Sequence, residues 1–192
     1  MRHVTCLFAL YLLIAVQVIR AREAVWIEGE SASSETYNQH SWYCSTAELD
    51  MTLCAPGEPG VSEGRLLGHY AKSDVPAEAH FDLTLDEGGN YTWWLRCSTF
   101  HSEQKYRIDG GDWLPVKQDG REVLNLVQDG IDIRFLGWIR VCETNLDAGP
   151  HTVGIRLEKS NRPDSNETHG YIDCMCIANY DWAPAGAIAP GQ

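Results

Sequence analysis

Apolar and polar positions alternate cleanly between Tyr91 and Cys97, where Tyr91, Trp93, Leu95 and Cys97 fall on one side and Thr92, Trp94 and Arg96 on the other. A period of two is the signature of a half-buried strand. Tyr106 and Ile108 resume the pattern, and Asp109-Gly110-Gly111-Asp112 supplies residues that accept positive φ in a tight turn. The stretch from Gly88 to Trp113 is thus predicted to be the central hairpin of the chain, with the Tyr91-Trp93-Leu95 side as an inner wall. Further strands are predicted at Ala24–Glu30, Arg65–Tyr70, Ala77–Leu85, Ile133–Cys142, His151–Leu157 and Tyr171–Ile177. Two irregular segments interrupt them, residues 31–63 and 118–132, and no segment carries a helical period. Strands at this spacing predict an all-β domain, a sandwich or a barrel.

The first residues lie outside that pattern. Arg2 and His3 precede an apolar run from Val4 to Val18, followed by Ile19-Arg20-Ala21. This is the layout of a secretory signal peptide, with cleavage expected after Ala21 and export to the extracellular space or periplasm. The organisation expected is a signal peptide over residues 1–21, a β-sandwich over 22–182 and a Pro/Gly/Ala-rich tail over 183–192.

Charge and cysteine usage refine the picture. Without Arg2 and Arg20 the 15 Lys+Arg become 13, against 27 Asp+Glu, a net charge of −14. Such a surface argues against nucleic acid and against a membrane after cleavage, and it suits neutral ligands and divalent cations. Six cysteines follow the leader, and an even number in an exported chain suggests disulfides. Cys44 with Cys54 is the first pairing expected, stapling the long first loop. Cys97 and Cys142 either bridge or pack, and Cys174 and Cys176 share one strand face, which disfavours a bond between them. Asn90-Tyr91-Thr92 and Asn166-Glu167-Thr168 fit the glycosylation pattern.

No catalytic constellation stands out. The sequence holds no GxSxG elbow, HExxH pair or phosphate-binding loop, and its histidines are scattered one to a segment. Trp26, Trp93 and Trp138 are expected to fill the core. Trp113 is expected to pack across a partner strand, and Trp94 to share the Arg96 face. A non-enzymatic binding module is the expectation.

Three motifs in order carry a family resemblance: Ile27-Glu28-Gly29-Glu30 at the start, GNYTWWLR with YRIDGGDW in the centre, and LDAGPHTVGIR with YIDCMCI at the end. Together they resemble the galactose-binding-domain-like jelly roll, in particular carbohydrate-binding modules of families six and thirty-five. The resemblance runs from about Val25 to Pro190. It implies a β-sandwich jelly roll and a secreted, non-catalytic module that recognises a polysaccharide or glycan. It also implies a structural calcium, with Glu28 and Glu30 matching the family's first pair of acids and Asp173 its last. Calcium takes several oxygen ligands, which carboxylates on neighbouring strand ends can supply. The implied sugar site lies in loops at one end of the sandwich, where aromatic rings stack on sugar faces. Trp42 and Tyr43 are its candidates, with His40 beside them and a second wall from Asn161, Asn166 and His169. The family's usual Asn two residues before the last acid is replaced by Tyr171. A protein-interaction or structural module of the same fold, with Trp42 and Tyr43 buried against a partner, is the alternative.

Overall fold

The computed structural model describes residues 21–38, 60–98, 102–117, 121–125, 135–160 and 162–192. Within them the alternating stretches form strands β1 (Ala24–Glu28), β2 (Ser34–Glu35), β3 (Leu67–Ala71), β4 (Ala77–Leu85), β5 (Gly89–Ser98), β6 (Ser102–Ile108), β7 (Leu114–Pro115), β8 (Arg121–Asn125), β9 (Phe135–Leu146), β10 (Gly149–Ser160) and β11 (Thr168–Ala178). Sheet A runs β1-β11-β5-β9-β8, with β3 also paired to β11, and sheet B runs β2-β4-β10-β6-β7. Counting β1, β4, β5, β6, β7, β9, β10 and β11 as strands one to eight, the orders are 1-8-3-6 and 2-7-4-5. That interleaving is a jelly roll, and all its described pairings are antiparallel.

The core lies between the sheets. Tyr91, Trp93, Leu95 and Cys97 of β5 face Phe81 of β4 and Val153 and Ile155 of β10 in one cluster, so the inner wall is the one the alternation predicts. The central turn is also as expected. Asp109 and Gly110 have φ of 50° and 71°, and Gly111 N–H donates to Ile108 O at 2.9 Å. Two positive-φ residues in a row match the right-handed twist of the flanking strands. Trp113 then lies over Gly154 of β10, where an added Cβ would come within 3.1 Å of its ring, and the Arg107 guanidinium stacks 4.4 Å from it.

Sheet A is covered on its outer side as well. Trp26 and Trp138 meet edge to face at 5.7 Å, and Trp182, beyond the last strand, packs on both at 6.2 and 5.5 Å. Trp138 is fully buried in this outer cluster with Trp94 and Cys174, so of the three tryptophans assigned to the core only Trp93 lies between the sheets. The 183–192 segment lies against the same face: Pro184 is buried and Trp138 Nε1 donates to Gly186 O at 2.8 Å.

Cys97, Cys142, Cys174 and Cys176 are unbonded thiols, and burial pushes those of Cys97 and Cys176 up to about 12. These four pack rather than bridge. Cys44 and Cys54 lie outside the described residues, as do residues 1–20 of the expected signal peptide.

Candidate functional site

The three acids singled out by the sequence lie along the β1 edge of sheet A, with Glu28 joined to Asp173 through Ser62 and Glu30 beside Glu28. Strand β1 ends at Glu28, which pairs with Cys174 of β11, next to Asp173. Glu30 does not continue the strand, contrary to the alternation, because Gly29–Ser31 closes into a 3-10 turn. Gly29 sets that turn directly on β11, where a Cβ would fall 2.4 Å from Ile172 O and 2.9 Å from Asp173 O. Only glycine allows so close a backbone approach.

A second 3-10 turn, Ser62–Gly64, supplies a bridge that the sequence did not mark. Ser62 N–H donates to Asp173 Oδ1 at 2.9 Å, and Ser62 Oγ donates to Glu28 Oε1 at 2.8 Å. Trp26 Nε1 also donates to Glu28 Oε1, at 2.6 Å. From the other side Arg96 of β5 donates to Asp173 Oδ2 at 2.6 Å. The register of β5 against β11 shifts between Ile172 and Cys174, a bulge at Asp173, and Arg96 pairs with Cys174 immediately beyond it. Arg96, placed by alternation on the polar side of its strand, is therefore a buried cation facing a buried acid.

The acids differ in what they have left to offer. Burial pushes the Asp173 carboxyl up to about 6, while Arg96 and the Ser62 amide pull it back, and both of its oxygens are engaged. Burial also raises Glu30, and the neighbouring Glu28 and Glu63 charges add to that rise. Glu28 Oε2 and Glu30 Oε2 are buried with no hydrogen-bond partner. Unpartnered carboxylate oxygens of this kind fit a hard cation. Asp173 fits less well, since its charge is already met by a guanidinium. Among the described residues no group of three His, Cys, Asp or Glu side chains is arranged to hold a metal ion.

The second candidate region is the end of the sandwich where the long first loop attaches. His40, Trp42 and Tyr43 lie outside the described residues, but the stem before them is firmly placed. Tyr37 is buried in the core with its ring 5.3 Å from that of His69. Asn38 N–H donates to His69 Nδ1 at 2.8 Å, and Tyr70 N–H donates to Asn38 O at 3.1 Å. Strand β3 thus holds the chain at the point where residues 39–59 depart. They return at Gly60, beside Val61 and the Ser62 bridge.

On β11 the partner of Tyr70 is His169, and the two rings meet edge to face at 5.7 Å. His169 N–H donates to Ser102 Oγ at 3.0 Å, which fixes the strand end from sheet B. Asn166 is exposed in the preceding loop, whereas Asn161 lies outside the described residues. Of the six candidates for sugar contact, His169 is paired with Tyr70 at the start of β11 and Asn166 is exposed in the loop before it, while His40, Trp42, Tyr43 and Asn161 lie outside the described residues.

No protein-family model matches the chain, and comparison with curated proteins returned no match. Several solved structures resemble it. The GH26-CBM35 β-(1,4)-mannanase of Podospora anserina aligns at 15% identity and a TM-score of 0.44, over 88% of this chain and 30% of that one. The C-terminal CBM6 of LamC, a marine laminarinase of Zobellia galactanivorans, aligns at 13% identity and 0.45, over 81% and 98%. A family 35 carbohydrate binding module from Clostridium thermocellum aligns at 14% identity and 0.45, over 81% and 97%. The chain thus spans under a third of the mannanase and nearly all of each isolated module.

Proposed function

We propose that this chain is a secreted, non-catalytic carbohydrate-binding module that takes a polysaccharide or glycan at the loop end of the sandwich. One observation carries the reading. The stem of the loop bearing His40, Trp42 and Tyr43 is hydrogen-bonded to β3 beside Tyr70, and Tyr70 packs on His169 of β11. The segment carrying Trp42 and Tyr43 therefore departs from one end of a rigid frame, where aromatic rings and polar groups would serve sugar recognition. Most described histidines have structural partners: His69 holds Asn38, His80 faces Glu78, and His151 lies between Asp109 and Asp147.

Calcium belongs to the same proposal. Glu28 and Glu30 would hold it through their unpartnered, buried Oε2 atoms, and it would offset the charge repulsion between these two half-buried carboxylates. Asp173, closed off by Arg96 and Ser62, supports the turn behind them. Affinity electrophoresis through gels containing soluble glucans, mannans or galactans tests the binding claim. Retardation by at least one polysaccharide, weakened by Trp42→Ala, is expected; unretarded migration in all of them contradicts it.

A further inference from the structure

A second groove crosses the outer face of sheet A, far from the loop stem. The alternation that turns Tyr91 and Trp93 inward turns Asn90, Thr92 and Trp94 outward. On β9 the register breaks between the pairs Trp93–Cys142 and Trp94–Arg140, leaving Val141 as the extra residue. Beyond the break, Arg140 and Glu143 form an exposed ion pair along the groove. The opposite wall is Asn179–Trp182, where the chain doubles back after β11. The cavity between them measures about 520 Å3, and a neighbouring hollow of about 390 Å3 continues it along Asn90, Glu143 and Asn145.

The wall is preformed. Asn179 Oδ1 accepts Glu23 N–H at 2.9 Å, a bond that cleavage after Ala21 would leave intact. The Arg22 guanidinium stacks 5.4 Å from the Tyr180 ring centre. Trp182 is fixed by Trp26 and Trp138. Trp94, only 6% exposed, helps close the floor. A groove whose sides are held by the fold loses little entropy when a ligand enters.

Its chemistry selects the ligand. Half-buried Tyr180 and Trp182 offer apolar ring surface, and Asn90, Thr92 and Asp181 offer donors and acceptors for hydroxyl groups. Arg140 is committed to Glu143, so with Asp181 the lining carries a surplus of negative charge. That surplus disfavours uronate, sulfated or phosphorylated ligands. We infer that this groove is a second saccharide site, one that binds a neutral hexose chain independently of the loop end.

The test uses the full chain made in a host without N-glycosylation, since Asn90 heads an Asn-Tyr-Thr sequence. The probes are hexasaccharides of β-1,4-glucose, β-1,4-mannose and β-1,3-glucose, with hexagalacturonate as the acidic comparison, each titrated calorimetrically. Asn90 and Asp181 are exposed, so the double variant Asn90→Ala/Asp181→Ala is expected to keep the wild-type melting temperature. At least one neutral hexasaccharide should bind, weaken tenfold or more in that variant, and retain its groove affinity in Trp42→Ala. Two binding events, one removed by each variant, support both sites. Binding lost only in the double variant supports the groove and refutes the loop end. Unchanged binding in the double variant, preference for hexagalacturonate, or no neutral hexasaccharide bound overturns the inference.

Discussion

Arg96 and Asp173 form an ion pair closed off from solvent, 2.6 Å apart with side chains 2% and 0% exposed. Removing one partner of such a pair leaves the other charge buried and uncompensated, whereas replacing both with apolar groups is often tolerated. Asp173→Ala is therefore expected to destabilise the domain by about 3–5 kcal/mol, and Arg96→Met/Asp173→Leu by much less. Urea unfolding of the two variants checks this. Equal losses would show that the pair matters through shape rather than charge.

Gly29 tests the packing of the acidic turn on β11. A methyl group there would meet the Ile172 and Asp173 carbonyl oxygens inside contact distance, and backbone cannot swing aside as a side-chain tip can. Gly29→Ala should cost about 1–3 kcal/mol or more. A thermal melt within a degree of wild type would mean that the turn is looser than described.

Cation addition addresses Glu28 and Glu30. A ligand that binds only the folded state stabilises it by about 2.7 kcal/mol at a hundredfold excess over its dissociation constant. Calcium should raise the melting temperature of the chelated protein, and Glu28→Gln/Glu30→Gln should abolish the rise. Identical melts with and without calcium would remove the ion from the account.

His151 makes stability depend on pH. Its ring nitrogens face the Asp147 carbonyl at 2.8 Å and the Asp109 carboxylate at 2.7 Å, an arrangement that satisfies the doubly protonated ring. The Asp147 bond raises its pKa most, burial opposes the rise and Asp109 adds to it. A raised pKa means a stabilisation fully present below the unfolded value, about 6.5, and lost as pH rises through the folded value. Stability should thus fall from about pH 6.5 upward, and His151→Ala should flatten that fall. An unchanged slope in the variant would assign it to other groups.

The inner wall was legible because one strand writes its own two faces. Tyr91, Trp93, Leu95 and Cys97 needed no partner to be recognised, nor did the Asp109-Gly110 turn. Arg96 was misjudged for a definite reason. Alternation separates two faces but does not say that both are covered, and here Trp182 and the chain beyond it cover the second. Ser62 was equally hidden, since its bond to Asp173 joins residues 111 apart in sequence and passes through a backbone amide that no side chain advertises. Glu28, Glu30 and Asp173 could be named from the sequence, but the division of labour among them could not. It depends on the bulge that turns Asp173 toward Arg96.

The central claim is that the loop end of this sandwich binds sugar. It is tested most directly by calorimetric titration of neutral hexasaccharides into the wild type and into Trp42→Ala and His169→Ala. The account predicts saturable binding to at least one of them, weakened tenfold or more by Trp42→Ala and measurably by His169→Ala. Binding that survives both substitutions unchanged, or no binding by the wild type, would contradict it.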